Sequence, residues 1–498
     1  MTKKPNIIYI FSDQHRGDTL GCVGHPAVIT PNLDKLASEG VTFTRCYTNS
    51  PLCMPARATM MTGKYVCEHG IWTNQLEADP LSPSHVRNIR DAGYQTALIG
   101  KTHLYAHGVR GKMHSRKDRI TLLENWGFVD IHDITGPLAS AVHDSPYTDY
   151  LKEKRLLRTH KTYVLKYLRK YWAGEAIPWE VPPCPLPTED HLDSYTGQKA
   201  GEWIRDYNND KPFYLQILFP GPHDPFDSPQ EYRDMYKPEE MPIGIMEWLQ
   251  EPTYPLNKRN LQWSGLKDMT AERMQLMRSF YYAKITLIDD YIGKIVKALK
   301  EKNLLENTWI IYNSDHGEML GDHFMSHKVV FYEGAIHIPL IIRPPGGLTG
   351  WTCEGLTDHL DVAASLIEIA GANSLEGSEG RSLISQVIAG PNSLSAQEGK
   401  DVIYSEVFGF SMVLNDKYKL VINTETRKLV EMYDLENDPN ELNNIVNDTS
   451  LSATRQELTS KYLNKLLEKM DENKFKFFQE ETTRRGKSSE RPKWAKND

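Results

Sequence analysis

The sequence predicts an α/β protein in which a large, mostly parallel sheet is sandwiched by helices and a smaller antiparallel sheet with a helix follows. Short apolar runs that end in polar residues alternate with helical segments over most of the chain, a pattern typical of buried parallel strands. After the Gly- and Ser-rich stretch 371–380, short strands follow one another without intervening helices. We therefore predict an α/β domain over residues 1–375 and an α+β subdomain with a charged tail over residues 376–498.

The elements of the large domain are predicted from apolar periodicity and from helix start and stop signals. The run Asn6–Ser12 is short, apolar and β-branched, which indicates a buried central strand. A helix begins at Pro31, with Thr30 as its cap and proline at the first position, and Gly40 ends it. Further strands are predicted over 41–47, 95–99, 213–219, 308–312 and 338–343, and further helices over 194–207, 271–302 and 361–370.

Two stretches of the large domain show little periodicity. Residues 105–190 contain the basic run Lys152–Arg158, which is more typical of a solvated helix face than of a binding patch. We interpret 105–190 as an insertion above the functional site together with loops, and 225–265 as loop-rich. In the C-terminal part, strands are predicted over 401–407, 412–415, 418–423 and 429–433, a helix over 454–473, and a frayed tail from Arg484.

The composition describes a soluble globular protein. Of the 498 residues, 40% are hydrophobic and 25% are charged, and the formal net charge of −8 argues against nucleic acid as a partner. The sequence contains no segment long and apolar enough to span a membrane, so we expect a cytoplasmic protein, or a periplasmic or secreted one if a signal peptide was removed. The cysteines at 22, 46, 53, 67, 184 and 353 have neither metal spacing nor a dense framework, which predicts free thiols.

The segment Ser50–Gly63 carries the most specific pattern of the chain. Cys53 lies between two prolines, Arg57 follows four residues later, and we predict a short helix that begins near Pro55. Cys53 would then lie just before the helix N-terminus, where free N–H groups and the positive end of the helix dipole favour an anion. One interpretation is a buried structural cysteine. A second is a thiolate phosphatase loop, but that loop usually has more residues between its cysteine and its arginine.

A third interpretation rests on a family signature. Cys53-Met-Pro-Ala-Arg57 with Thr62-Gly63-Lys64 has the form Cys-x-Pro-x-Arg followed by Thr-Gly-Lys. This segment closely resembles the type I sulfatases of the alkaline phosphatase superfamily, and residues 433–442 look like a C-terminal segment of that family. The resemblance implies a sulfatase, alkaline phosphatase-like fold. It also implies that a formylglycine-generating or anaerobic sulfatase-maturing enzyme oxidises Cys53 to formylglycine (3-oxoalanine), whose hydrated form is the nucleophile.

Two pairs of polar residues follow predicted buried strands: Asp13-Gln14 and Asp315-His316. Because open α/β sheets place their sites at the carboxyl ends of strands, a shared cation explains both pairs better than caps or turns do. The resemblance to sulfatases implies one divalent metal at these four residues and at residue 53, with Ca²⁺ as the first choice. Gln14 and His316 replace the second Asp and the Asn of the commonest pattern, as in a subgroup with choline sulfatases, some arylsulfatases and phosphonate monoester hydrolases. An imidazole ligand makes Mn²⁺ the second choice.

The same resemblance implies the catalytic roles. Arg57 is expected to hold the second oxygen of the nucleophile, and Lys101 and Lys328 are expected to bind the sulfate. His223, together with Lys328, faces the leaving oxygen, and His103 takes the proton that allows sulfate to be expelled. Five further residues are expected at the mouth of the pocket: His15, Trp72, Asn74, His107 and Arg110.

The sequence thus predicts a hydrolase that cleaves a small sulfate monoester, with a sulfated carbohydrate as the first choice of substrate. Choline sulfate and aryl sulfates stay open, and so does the oligomeric state. A phosphonate monoester or phosphodiester hydrolase on the same scaffold is the alternative. Lys101 and His103 disfavour it, because phosphonate monoester hydrolases tend to lose this pair. An inactive binding protein or a phosphotransferase is remote, since the metal, nucleophile and acid–base positions are all filled.

Overall fold

The computed structural model describes residues 4–106, 114–173, 175–247, 255–264, 266 and 268–486, and it confirms the predicted α/β class. Its strands form a sheet of eight, a sheet of three and an antiparallel sheet of four. The strands are β1 (Asn6–Asp13), β2 (Val41–Phe43), β3 (Cys46–Tyr47), β4 (Gln95–Gly100), β5 (Asp130–Asp133), β6 (Phe213–Pro222), β7 (Thr308–Ser314), β8 (His337–Ile338), β9 (Leu340–Arg343), β10 (Trp351–Cys353), β11 (Thr357–Asp358), β12 (Ile403–Val407), β13 (Phe410–Leu414), β14 (Tyr418–Asn423) and β15 (Leu429–Asp434).

Helices cover both faces of the large sheet and the end of the chain. They are α1 (Pro31–Ser38), α2 (Cys53–Thr62), α3 (Val66–His69), α4 (His85–Asp91), α5 (Arg116–Trp126), α6 (Pro146–Glu153), α7 (Leu157–Ala173), α8 (Leu192–Asp206), α9 (Gln230–Arg233), α10 (Pro255–Ser264), α11 (Ala271–Glu301), α12 (Glu333–Ile336), α13 (His359–Ala370), α14 (Ile384–Ala389), α15 (Ser452–Leu458), α16 (Asn464–Leu467) and α17 (Glu472–Gly486). A π-helical turn, Thr459–Leu463, joins α15 to α16.

The large sheet has the order β10-β2-β9-β7-β1-β6-β4-β5, and β9 is antiparallel to both of its neighbours. β1 runs parallel to β6 and to β7. Its side chains alternate between two cores, with Tyr9 and Phe11 on the side of α2 and α13, and Ile8 and Ile10 on the side of α1 and α11. Both faces are therefore buried, which explains why β1 is apolar throughout rather than alternating.

Two predicted strands are each divided between two sheets. The stretch 41–47 turns at Thr44, so β2 joins the large sheet while β3 joins the sheet of three. The stretch 338–343 is interrupted by Pro339, which has no N–H to donate to a ladder, and it becomes β8 and β9. The prediction of one continuous strand was wrong in both places, because apolar residues on either side of a short interruption conceal the change of sheet.

The stretch 105–190 is more regular than the sequence indicated. It contributes β5 to the edge of the large sheet and supplies α5, α6 and α7. The basic run Lys152–Arg158 spans the end of α6 and the start of α7, and most of its residues are exposed, as predicted for a solvated face. Where the sequence predicts an insertion above the functional site together with loops, a large part of the stretch is helical instead.

The C-terminal sheet has the order β12-β13-β14-β15, and all of its pairs are antiparallel, as predicted. Val413 and Leu420 of this sheet belong to the same buried cluster as Leu366 of α13. The predicted helix over 454–473 is interrupted before α17, where Asp471 accepts hydrogen bonds from the backbone N–H groups of Asn473 and Lys474. The boundary after residue 375 stays a prediction. In the described part of the chain, the helices are all too short or too polar to cross a membrane.

Candidate active site

The helix that carries the sulfatase signature begins at Cys53 rather than near Pro55. Leu52 is its extended cap, and Cys53 is the first helical residue, with 1% of its surface exposed. Pro55 is tolerated in the first turn because the N–H groups there have no partner within the helix. The Asn74 side chain accepts a hydrogen bond from the free Met54 N–H at 2.9 Å. The residue at position 53 thus lies at the N-terminus of a helix that a distant side chain caps.

Strand register brings the two acidic residues together. Ser12 of β1 pairs with Ser314 of β7, so the next residues, Asp13 and Asp315, leave adjacent parallel strands side by side. Asp13, Cys53, Asp315 and His316 each offer a ligand atom, and these atoms all lie within 4.8 Å of one another. The Cys53 Sγ is 3.2 Å from His316 Nε2 and 3.8 Å from Asp13 Oδ1. All four residues are buried, and the space between their ligand atoms, which can hold a cation, is called the cation pocket below.

His316 is prepared to use its Nε2 atom as an acceptor. Its Nδ1 lies 2.9 Å from the Gly317 carbonyl oxygen and donates its proton there. Burial lowers the pKa of the imidazole, which keeps the ring neutral. A neutral ring with Nδ1–H bound to a carbonyl presents the Nε2 lone pair, the arrangement that metal-binding histidines adopt.

Gln14 lies next to this cluster in an unusual backbone conformation. Its φ of 75° falls in the left-handed region, and the conformation is held by Asp315 Oδ1, which accepts from the Gln14 N–H at 2.9 Å. The Tyr281 hydroxyl, from α11, donates to the Gln14 carbonyl at 2.6 Å. The side-chain Oε1 accepts from Lys328 Nζ, and Nε2 donates to Glu318.

Arg57, one turn after Cys53 in α2, binds both acidic residues. Its Nε donates to Asp315 Oδ2 at 3.0 Å, and its Nη2 donates to Asp13 Oδ2 at 3.0 Å. Its Nη1 donates to the carbonyl oxygen of Lys101, and the guanidinium lies 5.1 Å from the Phe11 ring centroid. A planar fork suits this bridging role better than an ammonium does. In the ion-free protein, Arg57 therefore offsets the mutual repulsion of the two carboxylates.

Lys101 and Lys328 approach the cluster from two different loops. Lys101 directly follows β4 and donates its Nζ to Asp13 Oδ2, whereas Lys328 lies in the loop between β7 and α12. Burial lowers the pKa of Lys328, but Cys53 and Asp13 outweigh this effect, so the pKa is raised overall and the ammonium stays charged. Burial alone would raise the pKa of the Asp13 carboxyl, but the neighbouring Lys101 and His223 hold this pKa well below its usual range. The site thus keeps fixed positive charges around an ionised carboxylate.

The unmodified thiol of Cys53 is a poor nucleophile in this environment. Burial, followed by the neighbouring Asp13 carboxylate, raises its pKa to about 11. Because the thiolate rather than the thiol attacks, a cysteine with this pKa is almost entirely unreactive at neutral pH. The geometry therefore disfavours the thiolate phosphatase interpretation.

The two predicted acid–base histidines lie on separate loops. His223 Nδ1 is 2.9 Å from the Asp224 carbonyl oxygen and 3.1 Å from Asp224 Oδ1, and 15% of its side chain is exposed. Burial and Lys328 lower the pKa of His223 to about 3, so the ring is neutral until a negatively charged ester arrives. His103 is buried two residues after Lys101, with a left-handed φ of 51°.

Three buried carboxylates that the sequence did not single out support these residues. Asp224 accepts from the Tyr167 hydroxyl at 3.1 Å and also lies 3.3 Å from His327 Nδ1. Asp133 accepts from the Thr102 hydroxyl at 2.6 Å and so anchors the loop between Lys101 and His103. Glu318 contacts Gln14. Only proximity in sequence pointed to two of them, since Asp224 follows His223 and Glu318 follows the Asp315-His316 pair.

The structure gives different outcomes for the five residues predicted at the mouth of the pocket. Trp72 has no exposed surface and packs on the rings of Phe475 and Phe478, so its predicted role was wrong. His15 is also wrong, because it is buried with its ring nitrogens near the Tyr312 hydroxyl and the Thr19 carbonyl. Asn74 is half-buried and caps α2, and its substrate role stays a prediction. The remaining two, His107 and Arg110, lie outside the described residues.

The donor set fits a divalent cation. Two carboxylates and an imidazole nitrogen with a free lone pair converge beside residue 53, and hard divalent ions prefer oxygen donors. Residue 53 completes the set in either form, since an aldehyde hydrate offers oxygen where the thiol offers sulfur.

The described residues contain no cysteine in a disulfide, so all six thiols are free as predicted.

Comparison with known proteins identifies the family of the chain. The chain matches the sequence model of the sulfatase family over residues 5–372, and that of the C-terminal part of N-sulphoglucosamine sulphohydrolase over 321–469. It is 30% identical to an arylsulfatase of Clostridium perfringens, over 89% of this chain and 90% of that protein. It is 29% identical to an ulvan-active sulfatase of Formosa agariphila, over 95% of this chain and 83% of that protein.

Among solved structures, a phosphonate monoester hydrolase of Agrobacterium radiobacter has a similar fold. The TM-score is 0.76 at 26% identity, with 93% of this chain and 95% of that chain covered. The match to the sulfatase model and the similar fold show a hydrolase of the alkaline phosphatase superfamily. The family match over most of the chain is more specific: the protein belongs to the sulfatase family and is a sulfuric ester hydrolase.

Proposed function

We propose that this protein hydrolyses a sulfate monoester to an alcohol and inorganic sulfate, with formylglycine at position 53 as the nucleophile and one divalent ion as cofactor. The observation that carries the proposal is the convergence of Asp13, Asp315 and His316 on Cys53, at the start of the signature helix. Ca²⁺ is the first choice for the ion and Mn²⁺ the second, because His316 makes the donor set softer than one of oxygen alone. When bound, the ion supplies Lewis acidity toward a sulfate oxygen.

The residues around position 53 have separate tasks in this proposal. Arg57 holds the two carboxylates in place and is predicted to orient the second oxygen of the hydrated aldehyde. Lys101 and Lys328 bind the terminal oxygens of the ester, and fixed positive charge of this kind is a large catalytic contribution. His223 gives a proton to the leaving oxygen when the S–O bond breaks. His103 then takes the proton of the remaining hydroxyl, which re-forms the aldehyde and releases sulfate.

The substrate proposal is a sulfated carbohydrate. Its support is the 29% identity to a protein named as an ulvan-active sulfatase over nearly the full chain. Matured protein should therefore release sulfate from at least one member of a panel of defined sulfated mono- and oligosaccharides, with choline sulfate and 4-nitrophenyl sulfate included. Release from choline sulfate or the aryl ester alone would replace the carbohydrate by one of those alcohols, and release from none would reject the proposed function.

A phosphonate monoester hydrolase is the second candidate, because a solved enzyme with that name has a similar fold over most of the chain. The lysine at position 101 favours a sulfate ester instead. A sulfate monoester has three terminal oxygens to be contacted, whereas a phosphodiester replaces one of them by an alkoxy group. Lys101 Nζ lies against Asp13 and only 3.2 Å from the position that a Cβ on Gly136 would take, so its ammonium is confined to one place.

We expect Lys101→Ala to lower kcat/KM for a sulfate ester by about 10²–10³-fold, a typical loss for one preorganised group. The loss should be much smaller for a phosphonate ester with the same leaving group. Lys419→Ala is the control, because Lys419 is equally buried but pairs with Glu333 and Glu441. It should change both activities by the same factor. Equal losses for the two esters in Lys101→Ala, or a wild-type preference for the phosphonate, would favour the second candidate.

A further inference from the structure

The side-chain amide of Gln14 lies between a group that can only accept and a group that can only donate. Its Nε2 donates to Glu318 Oε2, and its Oε1 accepts from Lys328 Nζ. A carboxylate has no proton to give, and an ammonium has no lone pair to offer. Turning the amide over would therefore set nitrogen against ammonium and oxygen against carboxylate. The two neighbours together allow one orientation of the amide.

Glu318 is itself held in place by the backbone. Its Oε1 accepts from the Leu320 N–H at 3.0 Å and from the His327 N–H, and the residue has no exposed surface. Within the described part of the chain, its carboxylate has no Lys, Arg or His partner within 4.0 Å. Burying a carboxylate without a paired cation is costly unless hydrogen bonds satisfy it. The side chain of Gln14 is one of those bonds, so Glu318 and Gln14 fix each other.

The backbone of Gln14 leaves little else to adjust. Its N–H is bound to Asp315 and its carbonyl to the Tyr281 hydroxyl, in a left-handed conformation. The two ends of the amide thus have different, fixed neighbours: the oxygen end lies against the Lys328 ammonium, and the nitrogen end lies against the Glu318 carboxylate.

We propose that Glu318 is a positioning residue for the divalent ion, because it fixes Gln14 with Oε1 rather than Nε2 toward the ligand group of Asp13, Asp315 and His316. This inference rests on the ligand set of the proposed function. Only the oxygen of an amide can bind a cation, and its two lone pairs allow Lys328 and the ion to share it. In this arrangement Gln14 Oε1 contacts both the ion and the ammonium of Lys328, the lysine that is expected to bind the sulfate.

The test is the affinity of the protein for the ion in the absence of substrate. Matured protein is stripped with a chelator and titrated with Ca²⁺ or Mn²⁺ by calorimetry. Glu318→Gln should bind either ion about 10- to 100-fold more weakly, the usual effect of losing a group that orients a ligand. Glu406→Gln is the matched control, since Glu406 is equally buried and accepts from Cys67 N and Ser411 Oγ far along the chain. It should bind the ion as the wild type does.

A double variant separates orientation from packing. In Gln14→Glu with Glu318→Gln, the two groups exchange roles, and a carboxylate at position 14 offers an oxygen at both ends. Most of the lost affinity should return. Unchanged affinity in Glu318→Gln, or no recovery in the double variant, would overturn the positioning role. If the wild type binds neither ion, the positioning role and the proposed ligand set are both wrong. If that same protein still releases sulfate from an ester, the proposed sulfate ester hydrolysis is unaffected by this result.

Discussion

Cys53→Ala is expected to abolish turnover of sulfate esters, with a loss on the order of 10⁵-fold or more in kcat, because it removes the nucleophile itself. Cys53→Ser is the more informative change. A serine hydroxyl at the start of α2 can attack sulfur once, but it has no second hydroxyl whose proton can be removed to expel sulfate. We therefore expect at most one equivalent of alcohol per protein chain, followed by arrest, when the reaction is followed by rapid mixing.

Cys67→Ala is the control for this experiment. Cys67 is also buried, but its Sγ contacts the Leu466 carbonyl, away from the cation pocket. It should keep the wild-type kcat per correctly folded chain. Sustained turnover by Cys53→Ser or Cys53→Ala would show that residue 53 is not the nucleophile.

Asp315→Ala is expected to remove both the bound ion and the activity. Asp315 is a proposed ligand of the ion, and its Oδ2 also contacts two nitrogens of the Arg57 guanidinium. In the wild type, an ion present at 100 times its dissociation constant stabilises the folded state by about 2.7 kcal/mol. The variant should lose this increment. It should also lose about 3–5 kcal/mol in the ion-free state, because a buried guanidinium is left without one partner. Thermal unfolding with and without Ca²⁺ or Mn²⁺, together with metal analysis, measures both effects.

Asp289→Ala separates loss of the ion from loss of a buried carboxylate. Asp289 is as buried as Asp315, but it caps α1 through Asn32 and Leu33. Its removal should lower stability while leaving the increment from the ion intact. Full metal content in Asp315→Ala would mean that the assigned ligand set is wrong.

The close approach of Asp13 and Asp315 was predictable because their positions follow from local pattern. The apolar run of β1 ends at Asp13, and that of β7 ends just before Asp315, so the rule that sites form at the carboxyl ends of parallel strands applied directly. The signature around Cys53 predicted that this residue belongs to the same site as Asp13 and Asp315. The helix start was displaced by two residues, because Pro55 is compatible with several positions of the first turn.

The supporting residues could not be predicted, since their roles depend on contacts between distant parts of the chain. Tyr167 reaches Asp224 from α7, in a stretch with no recognisable pattern. Trp72 follows the signature helix and looked like a pocket residue, yet the rings of Phe475 and Phe478 of α17 cover it, about 400 residues later in the sequence. Glu318 is one of several polar residues in its loop, and only its hydrogen bond with Gln14 distinguishes it from the others.

If the residue at position 53 acts as formylglycine, mass spectrometry of the peptide that contains it should find an aldehyde there in active protein. The protein should be produced with and without a maturing enzyme, and the fraction of the peptide that carries an aldehyde in place of the thiol compared with kcat. We expect the two to rise in proportion and to extrapolate to no activity at zero conversion, in keeping with the raised pKa of the unmodified thiol. Fully active protein in which every such peptide carries the unmodified thiol would contradict the account.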